Sequence, residues 1–152
     1  MATIVKPQDL VEEARFAAEV RHQIHRFPEV GLDLPITEKF IVETLKAMGV
    51  EEVYSRVGGE NVGGVVAVIR GNRPGRTIGL RGDSDALPLN ENTGAPYTSQ
   101  HTKCHHACGH DGHVACVMAA VKYLHEHRDF AGTMVAIFQP GEEGFAGARY
   151  ML

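Results

Sequence analysis

Hydrophobic residues recur along the chain at two spacings, which predict an alternation of helices and strands. Between Pro7 and Phe27, apolar residues return every three or four positions among charged ones, as the buried face of an amphipathic helix requires. The same spacing predicts a second helix over residues 37–48. A third helix is predicted from Asp111, a residue type that favours the N-cap position, to about His127.

Four shorter segments are rich in Val, Ile and Leu and are bounded by turn-forming residues, which predicts β-strands over residues 52–57, 64–70, 76–81 and 133–138. The segment Asn72-Arg73-Pro74-Gly75 is typical of a turn and predicts a hairpin between the second and third of these strands. No repeat or linker interrupts the alternation. We therefore expect one α/β domain with a mixed sheet flanked by helices.

Composition and charge narrow the class of protein. The chain has 152 residues, of which 43% are hydrophobic and 22% charged, as in an ordinary globular domain. A formal net charge of −4 gives no electrostatic reason to bind nucleic acid or an anionic membrane, so we expect a small molecule or a protein as partner. Three closely spaced cysteines favour the cytoplasm over a disulfide framework. No membrane-spanning or N-terminal targeting segment is expected.

The segment His106-Ala-Cys-Gly-His-Asp-Gly-His113 concentrates three imidazoles, a thiol and a carboxylate. Its two glycines disfavour a continuous helix, so we expect a loop. If that loop is extended, Cys108 and His110 point the same way and can reach one metal ion. Asp111 and His113 could support these ligands from outside or cap the next helix.

Two acidic pairs follow predicted strands. Glu142 and Glu143 come after the last strand, which would deliver both carboxylates to the edge of the sheet. If they point in different directions, one can bind metal while the other activates water. Asp83 and Asp85 follow the third strand, and either can orient a ligand imidazole or form an Asx-type turn. Together with the histidine segment, these pairs indicate a hydrolytic metal centre.

Three other interpretations stay open. The histidine segment can be a loop without metal, with Cys108 buried as a small hydrophobe and the histidines on the surface. Glu142 and Glu143 can likewise be solvated surface residues. The histidine segment can also be a structural zinc site, although no second Cys-x-x-Cys or histidine pair has finger-like spacing. Cys108 can also act as a nucleophile with His106 or His110 as its base, which would leave the downstream carboxylates without a role.

Four motifs stand in order along the chain: Arg21-His-Gln-Ile-His-Arg-Phe-Pro-Glu29, Leu80-Arg-Gly-Asp-Ser-Asp-Ala-Leu-Pro88, the segment from His106 to His113, and Ile137-Phe-Gln-Pro-Gly-Glu-Glu143. In this order they resemble the dinuclear metallo-amidohydrolases of the aminoacylase and carboxypeptidase G type. Within that family, the resemblance is to hippurate hydrolases, N-acetyl-amino-acid deacetylases and plant auxin-conjugate hydrolases.

The resemblance implies that Cys108, His110 and Glu143 are metal ligands. It implies that Glu142 is the general base that activates the attacking water and then protonates the leaving amine. Asp85 matches an aspartate that orients a metal ligand. Asp83 matches a position that binds metal in distant relatives, but in this chain His110 takes over that role. Two divalent ions (Mn, Zn, Co or Ni) and a small N-acyl amino acid substrate such as hippurate are also implied, in a parent enzyme that can form a homo-oligomer.

Enzymes of this family are much longer and carry an inserted lid or dimerisation domain. We therefore expect residues 1–152 to be the N-terminal portion of a zinc-peptidase-like catalytic domain without that insertion. The apolar run after Glu143 has no cap or turn signal, which is typical of a chain that has been cut. Three functions follow as hypotheses: part of an amidohydrolase, a catalytically silent metal-binding fragment of one, or a structural zinc module that recruits protein.

Overall fold

The computed structural model describes residues 5–152. A 3-10 turn over Pro7–Leu10 leads into the first helix. The expectation about N-terminal targeting rests partly on residues 1–4, which lie outside the described residues. The elements are, in chain order, α1 (Val11–Arg26), α2 (Pro35–Ala47), β1 (Val53–Val57), β2 (Gly64–Arg70), β3 (Arg73–Asp83), α3 (His110–Glu126), β4 (Ala131–Gln139) and the short α4 (Ala148–Met151).

Helices α1 and α2 form where the hydrophobic spacing predicts them. Helix α2 begins at Pro35, whose fixed φ suits a first turn and whose missing N–H is not needed there. The next two backbone N–H groups, of Ile36 and Thr37, donate to the carboxylate of Glu29 at 3.2 and 2.8 Å. A carboxylate at this end of a helix is favourable because it complements the helix dipole.

Helix α3 begins one residue before the predicted N-cap. Gly109 is the N-cap and His110 the first helical residue, so the prediction that Asp111 caps the helix is wrong. Asp111 does not cap the helix because its carboxylate contacts two side chains of α1 instead. The carboxylate of Asp111 is buried and lies 2.7 Å from Nδ1 of His25 and 3.1 Å from Nε of Arg21, both on α1.

The four strands form one mixed sheet in the order β1-β2-β4-β3. Strand β2 is antiparallel to β1 and β4, whereas β3 is parallel to β4. The predicted mixed α/β sheet is thus confirmed, but the predicted hairpin is wrong because β4 lies between β2 and β3. Strand β4 takes that place because its alternate residues are buried, whereas most of β3 is exposed and suits the edge.

One hydrophobic core joins the sheet to α1, α2 and α3. Burial of aliphatic side chains on this scale is the main favourable contribution to folding. The largest fully buried apolar side chains are Phe138, Leu34, Ile41, Leu45, Ile69, Met118, Val65, Val114 and Val121.

Within residues 5–152, none of the helices combines the length and the apolar character that a bilayer crossing demands.

Three chain segments converge at one end of the β3–β4 pair. Because β3 and β4 are parallel and Asp83 pairs with Gln139, the segments that follow them leave the sheet side by side. The first turn of α3 approaches the same place: a β-carbon on Gly82 would lie 2.8 Å from the backbone oxygen of His113. The fold therefore gathers both acidic pairs and the histidine segment at a single edge.

Candidate metal centre

A tight turn brings Cys108 and His110 to this edge. Gly109, between them, has φ of 88°, in the left-handed region that glycine adopts more readily than other residues. The segment is therefore not extended at this point, and His110 enters the helix directly after the turn. The two side chains still share one cluster, because the thiol and the imidazole lie within 4.8 Å of each other.

Asp85 orients the ring of His110. The backbone oxygen of Asp85 lies 2.8 Å from Nδ1 of His110, and both residues are buried. A carbonyl oxygen can only accept a hydrogen bond, so Nδ1 carries a proton, and in the neutral ring the lone pair is on Nε2. This contact leaves Nε2 as the nitrogen that is available to a metal.

The side chain of Asp85 fixes the turn that follows β4. Its carboxylate oxygens accept the backbone N–H groups of Glu142 and Glu143, each at 3.0 Å. Asp85 has no exposed surface, so these charge-assisted bonds are shielded from water. They hold the two glutamates in one place relative to His110.

Both glutamates approach the free nitrogen of His110. Oε2 of Glu142 lies 3.8 Å and Oε1 of Glu143 lies 4.0 Å from Nε2. Glu143 is the more enclosed of the two, with 24% of its side chain exposed against 45% for Glu142. Donor atoms of Cys108, His110 and Glu143 all lie within 4.8 Å of one another. A thiol, an imidazole and a carboxylate at this spacing form a donor set that fits zinc and other first-row divalent ions.

The thiol of Cys108 is protonated in the metal-free arrangement. A hydrogen bond to the carboxylate of Glu143 raises the pKa of Cys108, and the negative charges of Glu142 and Asp83 act in the same direction. A thiolate at this position needs a compensating positive charge. A divalent cation would supply one, because metal coordination deprotonates a thiol.

Asp83 and His113 form a second group around the same histidine. Donor atoms of Asp83, His110 and His113 lie within 4.8 Å of one another, and Nδ1 of His113 is 3.2 Å from Oδ2 of Asp83. Oδ1 of Asp83 is buried without a hydrogen-bond partner among the described residues. The sequence left the roles of Asp83 and His113 open. The structure places both beside His110.

Two other members of the histidine segment, His106 and Asp111, belong to neither of these donor groups. Asp111 faces α1 through His25 and Arg21. His106 is buried, and neither of its ring nitrogens has a hydrogen-bond partner within residues 5–152. Sequence reasoning gave no role to His25. His25 lies in the motif from Arg21 to Glu29, one of the four motifs that carry the family resemblance.

Residues 79–152 match the family model described as peptidase family M20/M25/M40. The match includes both acidic pairs and the whole histidine segment. Residues 79–152 are therefore similar to the peptidases of the M20 family. This match confirms the resemblance to metallo-amidohydrolases that the four motifs indicate.

Relatives with related activities support this assignment. The chain is 45% identical over 134 residues to a hippurate hydrolase of Campylobacter jejuni, covering 88% of this chain and 34% of that protein. It is 40% identical over 147 residues to thermostable carboxypeptidase 1 of Saccharolobus solfataricus, covering 95% of this chain and 37% of that protein. The chain thus spans about a third of the length of these relatives.

Solved structures show the same fold. An aminohydrolase from methicillin-resistant Staphylococcus aureus superposes with a TM-score of 0.85 at 37% identity, covering 95% of this chain and 38% of that one. A protein from Bacillus subtilis, described as a dinuclear metal-binding peptidase of the M20 family, superposes with a TM-score of 0.83 at 35% identity, covering 91% and 38%. The expected fold class, a mixed α/β sheet flanked by helices like that of a zinc-peptidase catalytic domain, is therefore confirmed.

Proposed function

We propose that this chain forms part of a metal-dependent amidohydrolase that cleaves the amide bond of N-acyl amino acids of the hippurate type. One observation carries the proposal: two adjacent glutamates, fixed through their backbone by Asp85, bring both carboxylates to Nε2 of His110. One carboxylate is then free to bind metal with Cys108 and His110, and the other is free to transfer protons.

The surroundings of Glu142 and Glu143 indicate which one binds metal and which one transfers protons. Glu143 is the third ligand beside Cys108 and His110, because its oxygen is the one that clusters with their donor atoms. A divalent cation at these ligands would polarise the scissile carbonyl and make water more acidic. Glu142, which is more exposed, acts as the general base that takes a proton from the attacking water and gives it to the leaving nitrogen. Asp85 acts by positioning both glutamates and His110.

Two neighbouring ions fit the donor set. The single available nitrogen of His110 would bind one ion together with Cys108 and Glu143, while Asp83 and His113, whose donor atoms lie within 4.8 Å of His110, would hold the other. The buried Oδ1 of Asp83, which lacks a partner among the described residues, offers one more donor. The thiolate favours zinc, although manganese, cobalt and nickel also suit mixed ligands when they are the available ions.

The names of the relatives support the substrate class. A hippurate hydrolase of Campylobacter jejuni and an N-acetyldiaminopimelate deacetylase of Limosilactobacillus reuteri both match the chain, at 45% and 35% identity. These names share an N-acyl group on a small amino acid.

The three cysteines are free, which supports a cytoplasmic protein.

The test is hippurate hydrolysis by the complete product of the gene, loaded with zinc or manganese. Glu142→Gln removes the base but keeps the size of the side chain, so turnover should fall roughly 100- to 10,000-fold while the bound metal stays constant. Glu43→Gln, on the exposed face of α2, is the matched control and should leave turnover unchanged. Turnover of Glu142→Gln equal to that of the control would exclude Glu142 as the base.

A second candidate is a catalytically silent metal-binding fragment, which the short span relative to these relatives favours. Assay of the isolated 152-residue chain separates the two candidates, because turnover by this chain alone would exclude the silent fragment. A structural zinc module is distinguished by its behaviour towards chelators. In that case removal of a single ion would also unfold the chain.

A further inference from the structure

A second cluster of metal-ligating side chains lies apart from Cys108 and Glu143. It consists of His25 on α1 and of Glu91 and His105 on the long segment between β3 and α3. The three donor atoms lie within 4.8 Å of one another. Their side chains are 6%, 2% and 15% exposed, so the cluster is enclosed but not sealed.

A carboxylate fixes the orientation of the His25 ring, as is common for histidines that bind metal. Its Nδ1 lies 2.7 Å from Oδ2 of Asp111, a carboxylate with no exposed surface that Arg21 also contacts. Nδ1 therefore donates to Asp111, and Nε2 faces Oε1 of Glu91 at 3.2 Å. A carboxylate that fixes one ring nitrogen commonly orients the other towards a metal.

The distances within the cluster favour a cation over a shared proton. Nε2 of His105 lies 3.9 Å from the same Oε1 of Glu91, which is too far for a hydrogen bond. A proton on His25 would account for its contact with Glu91 but not for the placement of His105. Ligands at about 2.0–2.2 Å from a tetrahedral zinc ion are about 3.3 Å apart, so 3.2 and 3.9 Å bracket the separation that one ion needs.

The carboxyl group of Glu91 is ionised, as a ligand for a cation has to be. Burial opposes its ionisation, but hydrogen bonds from the backbone of Ser99, the hydroxyl of Thr93 and His25 outweigh it and lower the pKa of Glu91 to about 2. The carboxylate is therefore ionised at neutral pH. Glu91 also lines a polar surface cleft of about 300 Å³, so this ligand lies close to solvent.

A neighbouring histidine supplies an independent observation. His106 is 4% exposed, its ring centroid lies 6.2 Å from that of His25, and both ring nitrogens lack a hydrogen-bond partner among the described residues. An unpaired buried polar group is costly to the fold unless something satisfies it. A water molecule held by an ion between His25, Glu91 and His105 is a partner of suitable chemistry.

We propose that His25, Glu91 and His105 form a separate binding site for zinc or a similar first-row divalent ion. The ion would tie the segment between β3 and α3 to α1. Because the cluster shares no ligand with Cys108, His110 and Glu143, the proposal does not depend on the proposed hydrolytic function.

Cobalt(II) titration of the full chain tests the proposal, because a thiolate ligand gives cobalt a charge-transfer band that imidazole and carboxylate ligands do not. The Cys108 centre should show that band, and the second site should add one equivalent of cobalt with ligand-field bands only. His105→Ala should remove one equivalent and keep the thiolate band, whereas Cys108→Ser should abolish the thiolate band and keep the second site. His127→Ala, at the exposed end of α3, is the matched control and should change neither signal.

An unchanged number of bound cobalt ions in His105→Ala would overturn the proposal. A second measurement needs no substitution and so does not depend on how a variant folds. In the zinc-saturated chain, the nitrogen-15 NMR signal of Nε2 of His25 should have the shift of a metal-bound nitrogen. A protonated Nε2 at zinc saturation would show that a proton, not a cation, occupies the cluster.

Discussion

The backbone oxygen of Asp85 contacts Nδ1 of His110 at 2.8 Å, and the carboxylate of the same residue accepts the N–H groups of Glu142 and Glu143. One fully buried residue therefore sets the ring orientation on one side of the candidate metal centre and the backbone on the other. Asp85 is not placed among the metal-ligating groups. Its contribution is geometric, and it can be separated experimentally from that of the ligands.

Asp85→Asn should weaken metal binding without abolishing it. An amide can accept only one of the two N–H groups and turns its own donors towards the other, while the backbone contact with His110 is kept. Loss of such supporting contacts costs roughly 10- to 100-fold in metal affinity. Zinc dissociation constants from competition with a chelator dye measure the effect. Asp129→Asn, at an exposed position, should bind as the unaltered chain does; an equal affinity in both variants would contradict the role of Asp85.

The sequence predicts the helices and strands well because their signals are local. Periodicity alone places α1, α2 and all four strands close to where they lie. Strand pairing is not local. The turn-like residues at 72–75 predict a hairpin, but the more thoroughly buried β4 outcompetes β3 as the partner of β2.

The same distinction applies to the candidate site. Cys108, His110 and Glu143 can be picked out because their residue types and order carry the chemistry, and the structure brings them together. Their roles remain predictions. The contact between His25 and Glu91 spans 66 positions, and nothing in the local pattern around either residue indicates it. Tertiary structure was needed to find that cluster.

Metal binding at Cys108 should release a proton at neutral pH. The thiol has a raised pKa beside Glu143, so it is protonated before the metal binds and must be deprotonated to become a ligand. Below the pKa of the thiol, the apparent zinc affinity should rise about tenfold for each unit of pH, because one proton leaves for each ion bound. Calorimetry in buffers of different ionisation enthalpy counts the protons. Cys108→Ser should release fewer; the same number from both chains would show that the thiol does not bind the metal.

Gly82→Ala should destabilise the fold and loosen the first turn of α3. A β-carbon at Gly82 would lie 2.8 Å from the backbone oxygen of His113, so helix and strand would have to separate. Overpacking of this kind costs about 1–3 kcal/mol. Gly79→Ala on the same strand is the matched control, because its β-carbon would meet only a side-chain carbon of Ile137 at 3.5 Å. Urea unfolding measures both variants, and equal losses of stability would exclude close packing at Gly82 as the cause.

His106 should make the stability of the metal-free chain depend on pH. Burial lowers the pKa of His106 to about 4, whereas an unfolded histidine titrates near 6.5. Between these values the unfolded state binds a proton that the folded state does not, so the free energy of unfolding falls as the pH drops through this window. The loss should approach about 3 kcal/mol at pH 4.

His106→Leu removes the titrating group and keeps a buried side chain of similar bulk. Whatever its stability at pH 7, the variant should lose less stability than the unaltered chain between pH 7 and pH 4. Urea unfolding at intervals across this range gives the two profiles, and only their difference reports on His106. Parallel profiles would mean that this imidazole is as easily protonated in the folded chain as in the unfolded one, which its burial and its lack of hydrogen-bond partners among residues 5–152 argue against.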